Sequence, residues 1–568
     1  MNALRKGATR FLIACTALLS LSVGTQAGEG DYTGYFSNIS TWLNQKVSAG
    51  ARDLSEATLK KLLQDPVFAN TLCQRTLLSK YGVGNFEAFA KADPSNRTFL
   101  LWLLQNTKAM DMYLIGAAPT GLGQREANNY GLPVGSLDIW KRIYYADPES
   151  REGLYLRLAI ATCLNPPGTG NRGAGQAETP ADPVGRYNHF KSAHKNKELF
   201  PSFNNLTVWE YQKVVSSCAS DADLKWAREM LNTWRPDLRI HEQVVNSTSE
   251  VWYRKSPVPY TDFKAVLEGG GKCGPRSSWA VMICQAFGIP AIGVSQPGHA
   301  CVAYKAVDPS MQPQPGSVWK VAYGRGWQFS RLEGLSGPDF IAGVEERSRV
   351  TLFSQVEHLR WLASTLASKE QAAGVMQVAR KIQQSAPATK VDLTASEKAA
   401  EAESEKAAEA EEKLQPEDKP SKAAAPTPAS MPEAPFKVMP GTLHFEAELF
   451  SAMSGIRVYD CFTGGKQVNF QKNMNSSRVD YKVNVPATGT YGMVMRVATP
   501  NRDQIIEVGT GTNKIATINI PNTTGLWGTT AEVNVRLNKG LQTLRLSAPF
   551  QRGIALRWFE LKFKGTRQ

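Results

Sequence analysis

The chain has 568 residues, 42% of them apolar and 20% charged, which is enough apolar material for several buried cores. At ordinary domain size this length means three or four folded units. Lys plus Arg (65) exceed Asp plus Glu (51), a net charge of +14. The cations are spread along the sequence, however, with no arginine-rich arm and no basic–aromatic run, which argues against a nucleic-acid partner.

Three cations, Arg5, Lys6 and Arg10, precede the apolar run Phe11 to Val23, and small residues surround Thr25-Gln26-Ala27. That pattern is too short to span a bilayer and reads as a secretory signal, residues 1–27, cut after Ala27. No later segment has eighteen uninterrupted apolar residues, so no transmembrane segment is expected. The expected location is therefore secreted, periplasmic or at the cell surface. Seven cysteines remain after cleavage: Cys73, Cys163, Cys218, Cys273, Cys284, Cys301 and Cys461. An exported compartment permits disulfides, and an odd number leaves at least one thiol unpaired.

Residues 28–245 carry a helical period. Leu154, Leu158 and Ala161 share one face, and Leu224, Ala227, Leu231 and Trp234 share another, at spacings of three and four. Trp102, Trp140, Trp209, Trp226 and Trp234 recur here and are expected in helix–helix cores. Gly168-Thr169-Gly170-Asn171-Arg172-Gly173 has the spacing of a dinucleotide fingerprint. It follows a helix and Pro166-Pro167 instead of a strand, so no pyrophosphate would meet a helix N-terminus.

Residues 246–345 change character, with β-runs expected on either side of one short helix. The stretch Gly269-Gly270-Gly271-Lys272-Cys273-Gly274-Pro275 leads into an apolar face of Trp279, Met282, Ile283, Ala286 and Phe287, and Gly288 with Pro290 stops the helix. Cys273 therefore stands at a helix N-terminus, whose partial positive charge favours thiolate, the nucleophilic form. Cys284, inside that helix, is expected to be packing or a disulfide partner. A strand from Ala291 to Gln296, a Pro297-Gly298 turn and a second strand headed by His299 follow. Imidazole at that position can take the thiol proton and return it to a leaving amine.

Gly-Cys-Gly opening a helix, the Gly288-Ile289-Pro290-Ala291 exit and a His heading a strand resemble the transglutaminase-like cysteine superfamily. The resemblance implies a papain-like α+β fold, Cys273 as nucleophile and His299 as base in cleavage or transfer of amide acyl groups. The family's third residue, usually an Asp after a Trp on the next strand, has no counterpart in Val318-Trp319-Lys320-Val321-Ala322-Tyr323-Gly324. Asp308 in the preceding loop and Tyr323 are the candidates for the orienting role. Without such a group the domain would be a degenerate binding module, the alternative to catalysis.

Residues 346–386 return to helix, with Leu359, Leu362, Leu366, Val375, Val378 and Ile382 on an apolar stripe. Residues 387–436, rich in Ala, Glu, Lys and Pro, read as a semi-rigid spacer. From 437 to 568 the period becomes two: Val479, Tyr481, Val483 and Val485, then Val533, Val535 and Leu537. Turns at Thr488-Gly489, Gly509–Gly511, Asn522–Gly525 and Lys539-Gly540 separate short strands, the pattern of a β-sandwich.

Phe445-Glu446-Ala447-Glu448, the strand Tyr491 to Ala498, and Asn522-Thr523-Thr524-Gly525-Leu526-Trp527 resemble carbohydrate-binding modules of family 6 or 35. The resemblance implies a jelly-roll sandwich, sugar stacking on Trp527, and a structural calcium held by Glu446 and Glu448. Ala555 and Arg557 replace polar residues of the family's closing motif, and a cation at a calcium-ligand position argues against the metal. No other cofactor is expected. The whole reads as a multidomain chain, all-α, then α+β, then β-sandwich. Its partners are a polysaccharide or glycan and a peptide or peptidoglycan-like substrate, acted on by a cysteine amide hydrolase or acyltransferase.

Overall fold

The computed structural model describes residues 31–50, 54–170, 175, 177, 179–238, 241–251, 262–306, 318–385, 441–470, 477–511, 513–549 and 553–565. The expected signal segment, the 387–436 spacer and Asp308 lie outside the described residues. The chain forms two compact units. The first holds Met1–Arg172, Ala177–Asp221 and Cys284–Glu401; the second holds Gly173–Gln176, Ala222–Ile283 and Ala402–Gln568.

In the first unit, an Asp-Pro pair starts helix after helix. Asp65 accepts from the amides of Val67 and Phe68 at the start of Pro66–Tyr81. Asp93 caps Pro94–Gln105 and Asp182 caps Pro183–Lys195 in the same manner. The carboxylate satisfies amides with no partner in the first turn, and Pro removes one such amide while presetting φ. Thr207 and Glu210 close a reciprocal capping box on Val208–Val215. Phe99, Trp102, Trp140 and Tyr144 pack ring against ring between these helices, as expected of Trp102 and Trp140.

A buried ionic cluster joins the Leu122–Glu126, Gly337–Ser348 and Val350–Thr365 helices. The Glu357 carboxylate lies between Arg125, 3.4 Å away, and Arg360, and Arg125 also reaches Glu346. An antiparallel sheet follows in this unit: β1 (Ala291–Gln296), β2 (His299–Ala306), β3 (Val318–Ala322), β4 (Arg331–Leu332) and β5 (Leu335–Ser336), in the order β3-β2-β1-β4-β5. Trp209, Val294, Cys301, Ala303, Trp319, Trp327 and Phe340 fill its core. Trp209 thus packs on a sheet, its ring 5.6 Å from that of Trp319, where a helix–helix core was expected.

The second unit contains the Asp221–Trp234 helix from Ala222 on, the Phe263–Gly269 helix and the start of the Cys273–Ala286 helix. Residues 263–269 are helical where a β-run was expected. Asp262 caps the amide of Ala265 at 2.8 Å, and Phe263, Val266 and Leu267 are buried at helical spacing. Seven residues are too few for periodicity to separate the two structures.

The rest of this unit is a sandwich of strands β6 (Thr442–Glu446), β7 (Ala452–Ser454), β8 (Ile456–Asp460), β9 (Lys466–Phe470), β10 (Ser477–Val485), β11 (Gly489–Ala498), β12 (Gln504–Thr510), β13 (Asn513–Ile520), β14 (Gly528–Thr529), β15 (Val533–Leu537), β16 (Gly540–Ala548) and β17 (Ile554–Gly565). One sheet runs β13-β12-β16-β10-β7; the other runs β14-β11-β17-β9-β8, with β15 on β11 and β6 on β17. Val479, Tyr481, Val483, Val485, Val535 and Leu537 all point into the shared core, as their alternation requires. Among the described residues no helix is long and apolar enough to cross a membrane.

Asp480 and Arg545 face each other across β10 and β16 and form a paired contact, Nε to Oδ1 at 2.8 Å and Nη2 to Oδ2 at 2.9 Å. These bonds hold the Asp480 carboxyl below the usual carboxylate range. A depressed folded-state pKa stabilises above the unfolded value, about 4, and that stability is lost as pH falls through the folded value. Asp480→Asn is therefore expected to cost about 1–2 kcal/mol at pH 7, discounted because Arg545 is partly exposed. The deficit should shrink progressively as pH falls below about 4, as followed by calorimetry. A deficit constant over that range would show that the charge is not what the pair contributes.

Candidate functional site

His299 opens β2 directly opposite Gln296 of β1. Its Nε2 lies 2.5 Å from the backbone carbonyl oxygen of Tyr323. A carbonyl only accepts, so Nε2 carries the proton and donates; in the neutral ring the lone pair is then on Nδ1. Two features bring that carbonyl round. Tyr323 follows the last residue of β3 and turns left-handed, with φ 59°. Gly324 then passes so close to the sheet that a Cβ would stand 2.6 Å from Cys301 Sγ. Only glycine fits there. Tyr323, one of the two candidates for orienting His299, therefore meets it through its main chain, with no carboxylate.

Gln296 holds the same loop and carries no sequence signature that marks it. Its Oε1 accepts from the Arg325 amide at 2.9 Å, and its Nε2 donates to Ser330 Oγ at 2.9 Å and to the Gly326 carbonyl at 3.2 Å. The side chain is buried, so these bonds are shielded from water and fix the 323–330 loop.

Cys273 belongs to the second unit. The Phe263–Gly269 helix ends with Gly270 at φ 65°, its amide bonded to the Val266 carbonyl at 2.9 Å. Gly271 and Lys272 lead into the next helix, and Cys273 is its first residue. Residues Cys273 through Ser278 are half-buried, whereas Trp279, Met282, Ile283 and Ala286 are fully inside. The thiol thus stands at an accessible helix start. Cys73, Cys163 and Cys284 are buried, and burial pushes their thiols up. None of the seven cysteines from Cys73 to Cys461 is in a disulfide, so Cys284 is packing.

Trp527 is half-buried and precedes β14. Its loop rests on the Asp221–Trp234 helix. Trp226 Nε1 donates to the Thr524 carbonyl at 3.1 Å. Gly525, at φ 78°, lies over Met230, where a Cβ would come within 2.3 Å of Met230 Cγ. Gln467 and Asn469 of β9 donate to the carbonyls of Thr233 and Trp234 at 3.1 and 2.9 Å. They supply partners for the open end of that helix. Trp226 and Trp234 therefore pack against the sandwich, not only in the helix–helix core expected of them.

Glu446 and Glu448, the residues the resemblance assigns to calcium, do not fit that ion. Arg557 Nη1 lies 2.6 Å from Glu446 Oε2 and donates to the Lys466 carbonyl at 3.0 Å, while Nη2 donates to the Gly464 carbonyl at 3.0 Å. Gly465 leaves space for the guanidinium, since a Cβ there would stand 2.5 Å from Nη2. Carboxylate and carbonyl oxygens that would suit calcium thus face a fixed cation instead. Glu446 also contacts His444 Nε2 at 3.2 Å, and Glu448 is exposed.

Residues 446–563 match the family model described as carbohydrate binding module (family 6). This part of the chain is similar to family 6 carbohydrate-binding modules. Solved structures similar to it include the module CBM6cm-2 from Cellvibrio mixtus lichenase 5A in complex with cellotriose, at 26% identity over 22% of this chain and 98% of that one, TM-score 0.20. A module from Clostridium cellulolyticum in complex with xylose is 25% identical over 22% of this chain and 97% of that one, TM-score 0.19. The C-terminal module of LamC from Zobellia galactanivorans is 24% identical over 21% and 98%, TM-score 0.20. No curated protein matches the chain.

Proposed function

We propose that the chain is an exported cysteine amide hydrolase or acyltransferase that acts on peptide or cell-wall-type material and is held to its glycan by the family 6 module. The observation that carries the catalytic half is the His299 ring, bonded through Nε2 to the Tyr323 carbonyl with Nδ1 left as base. In this reading His299 removes the proton from Cys273 Sγ and the thiolate adds to an amide carbonyl. The imidazolium then gives its proton to the departing amine, leaving a thioester. Water or a second amine attacks the thioester, regenerating the thiol. A carbonyl sets the tautomer as a carboxylate would but adds no negative charge to stabilise the imidazolium, so turnover is expected to be slow.

That missing charge is also what favours the second reading, in which both domains only bind. The sugar-binding half rests on the family 6 match and on Trp527, whose ring is the stacking surface in this reading. Stacking needs one exposed face and tolerates the losses at Ala555 and Arg557 better than hydrogen-bond readout does. Titration of the full chain with a panel of soluble polysaccharides should give weak, broad binding, lost in Trp527→Ala and unchanged by EDTA. Calcium-dependent binding would contradict the placement of Arg557, and binding that survives Trp527→Ala would move the site elsewhere on the sandwich. Amide cleavage of peptides borne on a bound glycan separates the two readings, since the binding reading allows none.

A further inference from the structure

The turn that presents Cys273 contains two successive glycines, Gly270 and Gly271, after the helix ends at Gly269. Such backbone has the widest conformational freedom of any sequence, so a nucleophile mounted on it needs outside support. The sandwich supplies that support. Both oxygens of Glu268, the residue before Gly269, are engaged by loops of the sandwich: Oε1 accepts from Asn522 Nδ2 at 3.0 Å and Oε2 pairs with Arg502. Asn522 is itself fixed, its Oδ1 accepting from the Thr524 amide at 2.8 Å. The Thr524 carbonyl accepts from Trp226 Nε1 at 3.1 Å, and the Trp226 ring meets the edge of Trp279 at 5.9 Å. Trp279 lies on the helix that Cys273 opens. The path from Trp279 through Trp226, Thr524, Asn522 and Glu268 to the glycine turn is therefore a closed circuit that returns to the thiol from both sides.

We propose that the loop end of the sandwich is the positioning surface for the Cys273 thiol, with Glu268 as the positioning residue. This inference rests on the reading of Cys273 as nucleophile. It makes the sugar-binding module part of the thiol's scaffold, since Asn522, which holds Glu268, and Trp527 belong to one short loop. The Glu268–Arg502 pair lies at the surface, with Arg502 59% and Glu268 23% exposed. Such pairs contribute little to stability, so its removal should change thiol geometry while leaving the fold intact.

The test is the rate at which iodoacetamide alkylates Cys273 in the full chain from pH 5 to 9, for wild type, Glu268→Ala, Glu268→Gln and Asn522→Ala, with thermal unfolding recorded for each. Glu268→Ala and Asn522→Ala should slow alkylation about tenfold or more, the scale of a small misplacement. Glu268→Gln, which keeps an acceptor for Asn522, should recover most of the rate. Wild-type rates in both alanine variants, or a Gln variant no better than Ala, would overturn the proposal. If wild type alkylates in this pattern but cleaves no amide, the hydrolase reading fails and the positioning inference stands.

Discussion

Cys273→Ala should abolish amide cleavage, and His299→Ala should lower it by about four orders of magnitude or more, the usual cost of removing a nucleophile or its base. Tyr323→Phe and Asp308→Asn should leave it within about threefold. His299 Nε2 is held by the Tyr323 carbonyl at 2.5 Å, and that oxygen is present whatever side chain follows. What the ring does need is the left-handed turn at Tyr323 and the tight passage of Gly324 over Cys301. Gly324→Ala should therefore impair cleavage far more than Tyr323→Phe does, although it adds only a methyl group. Rates of peptide-amide hydrolysis for the five variants check this directly. A large loss in Asp308→Asn would return the orienting role to a carboxylate.

Glu357→Ala should destabilise the first unit by about 3–5 kcal/mol. Glu357 is fully buried and lies between Arg125 and Arg360, each almost completely buried as well. Removing the carboxylate takes away the buried counter-charge that Arg125 and Arg360 share and leaves Glu346 as the remaining close partner of Arg125. Glu357→Gln keeps the shape and one acceptor and should cost less. Replacing Arg360 with Met in the Glu357→Leu background should recover part of the loss, because an apolar substitute avoids the desolvation penalty. Denaturant unfolding of the helical unit measures all three. A loss below about 1 kcal/mol for Glu357→Ala would show that the site relaxes enough to admit water.

The parts of this fold that were legible beforehand are those set by local pattern. The two-residue period of Val479 to Val485 places β10, and the face Trp279, Met282, Ile283 and Ala286 places the Cys273 helix, both where the structure has them. The recurrent Asp-Pro pairs at 65–66, 93–94 and 182–183 are a further local signal, since each starts a helix. What escaped depends on contacts between distant segments. The Asp221–Trp234 helix shows an apolar stripe in Leu224, Ala227 and Leu231, but it has a second one in Trp226, Met230 and Trp234. Its partner lies in the Thr524–Gly525 loop nearly three hundred residues later. The support of His299 was hidden for a different reason: a backbone carbonyl has no residue type, and only the turn at Tyr323 aims it.

The most direct test of a cysteine nucleophile joined to a sugar-binding module is peptide mapping after brief exposure of the native full chain to iodoacetamide at pH 6. Cys273 should carry the label first, ahead of the buried Cys73, Cys163 and Cys284, and His299→Ala should slow its labelling. Labelling of Cys273 no faster than in the denatured chain at that pH, or unaffected by loss of His299, would contradict its role as nucleophile.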